Sequence, residues 1–324
     1  MSVRATLAGV RSFIWARPQT GEEVGGTSAR YSYAVWLRHI VNAFQRGLQV
    51  PPETVVELGP GGSLGVGIAA LLCGSSTYHA LDTVPYVSAQ DTQLLDELVE
   101  LFRARADIPD ESEFPDLEPH LDSHQFPDRV FPEQFLTKCL LPQRIGTLRR
   151  ALQDIGKACA CGHEQICVRY SAPWNTAEAV PARSVDLIMS QAALEHVEDL
   201  RGTYAAMGRW LKRDGFATHQ IDFRCHHTAK KWNGHWAFSD LHWRIIKGKR
   251  PYLINRQSVS THIAYAVTAG LEPLASTLVF DDQGIRRHQL ARRFRDLTEE
   301  DLKTSGAFLV FRKRCETSLA LNWP

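Results

Sequence analysis

The chain has 324 residues, of which 44% are hydrophobic and 23% are charged. This is enough for one large domain with insertions or for two domains. The 37 Lys and Arg residues balance the 36 Asp and Glu residues to a net charge of +1, so no global field attracts nucleic acid, which is not favoured as a partner. Seven scattered cysteines form no disulfide framework, which predicts reduced thiols and a cytoplasmic protein.

No apolar run approaches the length of a membrane-spanning helix. In residues 1–17 the apolar residues are interrupted by Arg4 and Arg11, and the segment lacks the features of a signal peptide. We expect an arm that packs on the domain or on a partner, with peripheral contact to a membrane surface as the alternative. A homodimer is one arrangement that the sequence allows.

Hydrophobic periodicity alternates between helix and strand along the chain. A helix is predicted over residues 28–47, and Pro51 with Pro52 blocks its continuation. Strands are predicted at 54–58, 77–81, 165–170, 184–190, 216–223, 271–280 and 307–313, and further helices at 64–72, 199–212 and 258–269. This alternation predicts an α/β fold with a doubly wound, Rossmann-like sheet of seven mostly parallel strands.

The stretch between the second and third strands is too long for an ordinary connection. It carries an amphipathic helix near residues 94–105, a loop-rich part punctuated by prolines, and a second helix over about 142–159. The predicted organisation is an N-terminal arm and helix at 1–50, a core at 51–83 and 165–324, an inserted helical lid at 84–164, and a substrate-side insertion within the core at 224–256.

A glycine-rich loop follows the first strand and opens a helix. Glycines allow a tight turn and close approach to a ligand, and the helix N-terminus offers unpaired N–H groups. The loop has no Lys, which excludes a P-loop. Gly59 and Gly61 fit a dinucleotide fingerprint, but position 64 is Leu and Gly65 comes one residue late. The remaining possibility is a loop that holds a nucleoside bearing an amino acid.

A carboxylate stands where a ribose would lie. Asp82 ends the second strand, 21 residues after Gly61. An acidic side chain at this point can accept hydrogen bonds from both ribose hydroxyls, although a capping role in the turn is the alternative. We favour ribose binding because the glycine loop precedes it.

Four motifs in order resemble those of class I S-adenosylmethionine-dependent methyltransferases. They are Glu57-Leu58-Gly59-Pro60-Gly61 with Asp82, the stretch 184–197, the turn 211–216 and the late 269–272. The resemblance covers residues 50–83 and 165–312. It implies a Rossmann-like methyltransferase and S-adenosyl-L-methionine as the cofactor.

The resemblance also implies roles for individual residues. Glu57, Gly59 and Gly61 would hold the methionine end of the cofactor, and Asp82 its ribose. The turn after the third strand would border the adenine, although this chain lacks the acidic residue that many members place there. The implied cofactor-binding set is Glu57, Gly59, Pro60, Gly61, Ser63, Asp82, Ala172, Trp174, Gln191 and Ala192, the last two beside the reactive end.

A second resemblance concerns the acceptor. The stretches 31–39 and 219–222, with His226, 238–240, Trp243 and 255–256, resemble bacterial methyltransferases of polysaccharide-biosynthesis clusters. This implies methylation of a sugar hydroxyl on a glycan or nucleotide-sugar precursor. The alternatives are another small metabolite or RNA, or, in a different class, a methyltransferase-fold protein that binds without catalysis.

The insertion at 224–256 is rich in aromatic and basic residues. Aromatic faces suit the C–H surfaces of sugars, and basic groups suit a phosphate or a uronic carboxylate. Packing of the insertion itself is the alternative role for these residues. The predicted substrate contacts are Trp232, Trp236, Asp240, Trp243, Asn255 and Arg256.

A hydroxyl acceptor must lose its proton, and His suits this near neutral pH. The first candidate for the general base is His226, with Asp222 four residues earlier as its orienting partner. His196, after the fourth strand, and His227 are the other candidates.

Two sets of residues could bind a metal, and neither predicts one. Cys159, Cys161 and His163 with Cys167 lack a standard zinc spacing. Magnesium prefers carboxylates, and only Asp222 and Asp240 lie near the His-rich insertion. A divalent metal is therefore possible but not favoured.

Overall fold

The computed structural model describes residues 3–14, 28–85, 92–155, 166–174, 177–250 and 253–314. Its strands are β1 (Thr54–Leu58), β2 (Thr77–Leu81), β3 (Cys167–Ser171), β4 (Val185–Gln191), β5 (Leu211–Asp222), β6 (Leu271–Phe280) and β7 (Thr304–Lys313). Its α-helices are α1 (Val3–Ile14), α2 (Ala29–Phe44), α3 (Gly65–Leu72), α4 (Thr92–Arg103), α5 (Glu133–Cys139), α6 (Pro142–Gln153), α7 (Leu200–Trp210), α8 (Asp240–Lys247), α9 (Val259–Thr268) and α10 (Glu299–Lys303).

The seven strands form one sheet in the order β3-β2-β1-β4-β5-β7-β6. β7 runs antiparallel to both of its neighbours, and the other described pairings are parallel. The strand order reverses direction between β1 and β4, and ligands of open α/β sheets bind at such a point, beyond the carboxyl ends of the strands. This is a doubly wound, Rossmann-like α/β sheet of seven mostly parallel strands, and it confirms the predicted fold class.

Helices cover both faces of the sheet. One apolar cluster joins α2, α3 and α4 to one face, and a second joins α7 and α9 to the other. Val55 and Val56 on β1 are fully buried and belong to opposite clusters, because successive side chains of a strand point to opposite faces. The central strands therefore read as continuous apolar runs.

Helix α2 is buried along almost its whole length. It begins at Ser28, whose side chain accepts a hydrogen bond from the backbone N–H of Tyr31 at 3.1 Å, as a serine N-cap does. Arg38 and His39 are buried on this helix. Arg38 donates to the carbonyl of Pro109 at 2.8 Å, so α2 ties the segment after α4 to the core.

The described part of the predicted lid shares the core of the sheet. Leu95, Leu98 and Phe102 on α4 are fully buried in the same cluster as α2 and α3. The irregular stretch after α4 adds Ile108, and the region before α5 adds Phe131. Closure of this segment over an acceptor stays a prediction.

Several element bounds differ from those predicted. β5 begins at Leu211 rather than at residue 216, because Leu211 pairs with Val185 across a register shift. Ser258 stands at the N-cap position of α9 but makes no capping hydrogen bond; its hydroxyl lies 3.0 Å from that of Ser260 instead. The helix α10 was not predicted.

Helix α1 packs against α8. A Cβ atom on Gly9 would lie 1.9 Å from the carbonyl oxygen of Ile245, so this close crossing requires glycine. Leu7, Phe13 and Leu241 remain exposed on the pair, and contact with a membrane surface through it stays a prediction. Within the described ranges, the helices are too short or too polar to cross a bilayer.

The cysteines only partly follow the expectation of reduced thiols. Cys73, Cys139 and Cys225 are buried free thiols. Cys167 is disulfide-bonded, which the scattered spacing did not predict. The remaining residues of the possible zinc set, Cys159, Cys161 and His163, lie outside the described residues.

Candidate cofactor and acceptor site

The glycine loop passes directly against the loop after β4. Gly59 and Gly61 have φ of +71° and +63°, a region that L side chains rarely adopt. A Cβ atom on Gly59 would lie 2.6 Å from that of Ala193. The N–H of Gly59 donates to the carbonyl of Leu81 at 2.8 Å. The loop is therefore fixed between β2 and β4, and its conformation requires glycine.

Asp82 closes the other side of this loop. Its Oδ2 accepts from the N–H of Gly61 at 3.1 Å, and its Oδ1 from the N–H of Thr83 at 2.6 Å. Burial raises the pKa of this carboxyl, and the backbone donors oppose that shift. A carboxylate has about four lone-pair sites, so acceptor capacity remains for a ligand.

Glu57 is a buried carboxyl at the end of β1. The hydroxyl of Tyr78 donates to its Oε2 at 2.5 Å. Burial raises the pKa of Glu57 to about 7, against the lowering effect of the Tyr78 hydrogen bond. A cationic ligand group near this side chain would favour its charged form.

The turn after β3 lies beside Asp82. The N–H of Asp82 donates to the carbonyl of Ser171 at 3.0 Å, and the N–H of Trp174 donates to the carbonyl of Asp82 at 2.9 Å. The Trp174 ring packs edge-on against Trp210, with centroids 5.5 Å apart. Ala172, like Trp174, is half-buried. Both predicted adenine-side residues therefore lie next to the predicted ribose carboxylate. The other predicted cofactor residues, Pro60 and Ser63, lie in the glycine loop.

Three amide and imidazole side chains connect α2, β4 and β5. The Nε2 of His39 lies 3.0 Å from the Oε1 of Gln191, and the Nε2 of Gln191 donates to the Oε1 of Gln220. Gln220 also donates to the carbonyl of Asp116 at 2.8 Å and accepts from the N–H of Glu118 at 3.0 Å. We call His39, Gln191 and Gln220 the glutamine relay. It joins the predicted reactive end to the lid segment.

Three of the four predicted catalytic residues meet at the carboxyl ends of β4 and β5. The rings of His196 and His226 lie 5.0 Å apart. The Nε2 of His226 is 3.3 Å from the Oδ2 of Asp222. His227 is exposed beside them. Glu195 joins this group, because potential ligand atoms of Glu195, His196 and His226 all lie within 4.8 Å of one another.

Two carboxyl groups of this cluster have opposite environments. Glu195 is 2% exposed, and burial raises its pKa to about 8. Burial would raise the pKa of Asp222 as well, but hydrogen bonds from His226 and Arg224 outweigh it and lower that pKa to about 2. A charged carboxylate and a neutral carboxyl therefore lie side by side near neutral pH.

Backbone strain is concentrated at the same place. Ala192, His226 and His227 all have positive φ, at +48°, +43° and +62°. Non-glycine residues in this region persist only where their surroundings enforce it. The two loops that carry the cluster are therefore held in sparsely populated conformations.

Most predicted substrate contacts are occupied by packing. Trp236 is fully buried and donates from its ring to the carbonyl of Arg256 at 3.0 Å. The Arg256 guanidinium lies over Trp243 and Phe294, at 4.7 and 4.9 Å from the ring centroids. These side chains are enclosed by protein. We therefore assign Trp236, Trp243 and Arg256 to the packing of the insertion rather than to substrate contact.

The other predicted substrate contacts also have partners. Asn255 donates to the carbonyls of Leu194 and Val197 at 2.7 and 2.9 Å, so it braces the loop that carries Glu195 and His196. Trp232 is half-buried and donates to the carbonyl of Asp281 at 3.1 Å. Asp240 is exposed and forms ion pairs with Arg256 and Arg293.

A large cavity lies elsewhere. It has a volume of about 720 Å³ and is lined by Pro51, Glu53, Asp186, Arg213 and Arg312, among others. Pro51 and Glu53 precede β1, and Asp186 stands near the amino end of β4. Arg213 in β5 and Arg312 in β7 lie at the same edge of the sheet. The cavity is therefore at the edge of the sheet opposite the glycine loop, and the chemistry described above does not use it.

Comparison with known proteins gives one family match. Residues 162–218 match the methyltransferase domain family; no curated protein matches the chain. Similar solved structures include an S-adenosylmethionine-dependent methyltransferase from Mesorhizobium loti (14% identity, 84% of this chain and 96% of that chain covered, TM-score 0.40). Another is phosphoethanolamine N-methyltransferase 2 from Haemonchus contortus in complex with S-adenosyl-L-methionine (11% identity, 88% of this chain and 57% of that chain covered, TM-score 0.41).

A methyltransferase from Methanosarcina mazei is similar at the same level (13% identity, 84% and 97% covered, TM-score 0.40). Likeness this low says nothing about a substrate. The matched domain spans β3, β4, α7 and part of β5 of the seven-stranded sheet. The family match over residues 162–218 supports a methyltransferase enzyme.

Sequence reasoning missed three parts of this site. His39 and Gln220 had no assigned role, because their neighbours in the relay are distant in sequence. Glu195 had no role of its own in the sequence prediction, although it directly precedes His196 in the chain. Its burial depends on tertiary packing.

Proposed function

We propose that this methyltransferase transfers the methyl group of S-adenosyl-L-methionine to a hydroxyl of an anionic sugar, on a glycan or nucleotide-sugar precursor. The observation that carries the proposal is the His226–Asp222 pair at the carboxyl end of β5, on the edge of the sheet that also bears Glu57 and Asp82. An alcohol acceptor needs its proton removed, whereas a neutral amine does not. A histidine oriented by a charged carboxylate therefore favours an oxygen acceptor.

The cofactor roles follow from the two buried carboxyls. Asp82 is held by two backbone N–H groups, and its carboxylate would accept from the ribose hydroxyls. Glu57 faces the positively charged methionine end, which favours its ionised form. The backbone of Gly59 and Gly61 would lie against the cofactor, Trp174 would border its adenine, and Gln191 and Ala192 would line its reactive end.

Methyl transfer is an in-line displacement, so alignment and exclusion of water are the main tasks. The hydroxyl oxygen attacks the sulfonium methyl, the carbon–sulfur bond breaks, and S-adenosylhomocysteine leaves. His226 takes the hydroxyl proton while Asp222 holds its ring; His196 lies beside it.

Exposed basic residues that flank His226 in the sequence support an acceptor with a negative charge. Arg224, His227, Lys230 and Lys231 are exposed on this rim. Cationic side chains suit a phosphate or a uronic carboxylate. With the aromatic residues of the insertion largely buried, this rim is the stronger support for a charged sugar.

A labelled-methyl assay tests the proposal. The full chain is incubated with S-adenosyl-L-methionine carrying a radiolabelled methyl group and with nucleotide sugars, uronic acid glycosides, neutral sugars, small amines and RNA in parallel. We expect label in the anionic sugars, in a bond stable to base, as an ether is. Label in amines or RNA alone would overturn the proposal, and cofactor binding without label in any acceptor would favour a binding protein.

A further inference from the structure

Glu195 is an unusual residue for its position. It is 2% exposed, and neither of its carboxyl oxygens has a hydrogen bond of regular geometry among the described residues; the nearby backbone N–H groups of Glu195 itself and of Asp222 only partly oppose the rise in its pKa that burial causes. Burying a carboxyl group without a partner is costly. Such a group persists where a ligand absent from the protein chain completes it, and its nearest candidates for sharing that ligand are His196 and His226.

We propose that Glu195, His196 and His226 bind a divalent transition-metal cation such as Mn²⁺ or Zn²⁺. Their potential ligand atoms lie within 4.8 Å of one another. Ligands bound at about 2.1 Å from one cation lie roughly 3–4 Å apart, so small rotations of the two rings complete the set. One carboxylate and two imidazoles form a donor set that suits transition metals.

Asp222 supports this assignment from outside the set. Metal-binding histidines commonly direct their other ring nitrogen to a carboxylate, which fixes the ring. The Nε2 of His226 lies 3.3 Å from the Oδ2 of Asp222, which leaves Nδ1 for the cation. The Oδ1 of Asp222 accepts from the N–H and Nε of Arg224 at 2.8 and 2.9 Å, so the carboxylate is itself held.

The same set disfavours magnesium. Mg²⁺ prefers oxygen ligands and keeps several waters, whereas two of these three donors are nitrogens. Three protein ligands leave coordination positions open, as in catalytic rather than structural sites. His226 is about one-third exposed, so this cluster is accessible from solvent.

The catalytic role of this metal site rests on the proposed methyl transfer to a hydroxyl group. A hydroxyl that coordinates a divalent cation loses its proton more readily. In the loaded protein His226 is then a ligand, and the hydroxyl proton passes to solvent water. Without the cation, His226 takes the hydroxyl proton itself. Turnover that requires metal would therefore indicate the ligand role, and turnover in metal-free protein would indicate the general-base role.

Metal binding is tested on the full chain freed of metal by chelator and dialysis, without cofactor or acceptor. Calorimetry is run with Mn²⁺, Zn²⁺ and Mg²⁺, and Mn²⁺ binding is followed by electron paramagnetic resonance. We expect one site that prefers Mn²⁺ or Zn²⁺ to Mg²⁺ by at least tenfold. Glu195→Gln and His226→Ala should each weaken it at least tenfold, whereas Glu198→Gln, an exposed acid three residues from Glu195, should not.

Absence of a site in the wild type, or full binding in both Glu195→Gln and His226→Ala, would overturn the proposal. Because the Glu195 variant alters a buried group, circular dichroism checks its fold. If that variant does not fold, the variant at His226, which is about one-third exposed, decides the test. The readout is metal affinity alone. A failed metal titration therefore leaves the sugar methyl-transfer assay standing, and a failed transfer assay leaves the metal site standing.

Discussion

The Cα of Gly59 faces the side chain of Ala193 so closely that a Cβ atom on Gly59 would lie 2.6 Å from the Cβ of Ala193. The loop after β1 thus depends on the loop after β4 for its position. Ala193 directly precedes the turn Leu194–His196. A displacement of the glycine loop would therefore press on the segment that carries Glu195 and His196.

Replacing Gly59 with Ala should weaken the cofactor and the acceptor chemistry together. The variant combines a contact with Ala193 and a left-handed backbone, which costs about 1–2 kcal/mol for an L residue. We expect at least tenfold weaker binding of S-adenosyl-L-methionine by calorimetry. Gly47→Ala is the control, because Gly47 has φ of +103° with open space around it; it should lose stability but keep cofactor affinity.

Asp82→Asn should weaken the cofactor without unfolding the protein. The amide keeps one acceptor for the backbone donors but loses the charge, and hydrogen bonds to charged groups contribute about 1.5–3 kcal/mol. We expect S-adenosyl-L-methionine to bind about tenfold to a hundredfold more weakly. Asp186→Asn is the matched control: Asp186 accepts from the N–H of Thr54 at 2.9 Å, at the opposite edge of the sheet. Equal affinity in both variants would remove Asp82 from the site.

Glu57 should make the cofactor-free protein less stable as pH rises. Burial raises its pKa from 4.5 to about 7, so the folded state binds more protons than the unfolded state between these values. This contribution is fully present below about pH 4.5 and is lost as pH rises through about 7, a change of about 3 kcal/mol. Urea unfolding of wild type and Glu57→Gln across this range should show a growing advantage for the variant; a constant difference would contradict the assignment.

Replacing His226 with Ala should remove turnover but spare cofactor binding. Loss of a general base costs about a hundredfold to ten-thousandfold in rate, and loss of a metal ligand acts on the same step. We expect that fall in kcat, with S-adenosyl-L-methionine affinity within about twofold of wild type. His288→Ala, at an exposed histidine, is the control. Near-normal turnover in His226→Ala would eliminate this residue from the chemistry.

Arg256 should contribute to stability and not to substrate affinity. Its guanidinium is buried between two aromatic rings and pairs with Asp240. Arg256→Ala leaves a cavity and should lower the free energy of unfolding by about 3–5 kcal/mol. Arg293→Ala removes the exposed partner of the same Asp240 and should cost less than about 1 kcal/mol. Denaturant unfolding of both variants gives the comparison.

The sequence allowed prediction of what depends on local pattern. β1 and β2 have the predicted bounds, because their apolar runs end at a glycine loop and at Asp82. Positions fixed by distant residues were not predictable in this way. β5 begins early because Leu211 pairs with Val185, and Trp236 is buried because Leu290 and Phe294 cover it.

The candidate site shows the same division. The residues of the cofactor side stand at the ends of β1, β2, β3 and β4, each within a local motif, so these motifs and the family resemblance that they carry indicated them. The acceptor side joins the ends of β4 and β5, and only the fold places Glu195 beside His226. Which aromatic residues face a ligand depends on packing, and spacing does not specify it.

The glutamine relay has a kinetic consequence. Gln220 forms hydrogen bonds with the lid segment at Asp116 and Glu118 and with Gln191, which stands at the predicted reactive end. Any outward swing of that segment must break two hydrogen bonds at Gln220 and leave its amide to find new partners. If this segment closes over the acceptor as predicted, its opening would require Gln191 to rearrange, and release of the methylated product and the return of the enzyme to its starting state would share one barrier.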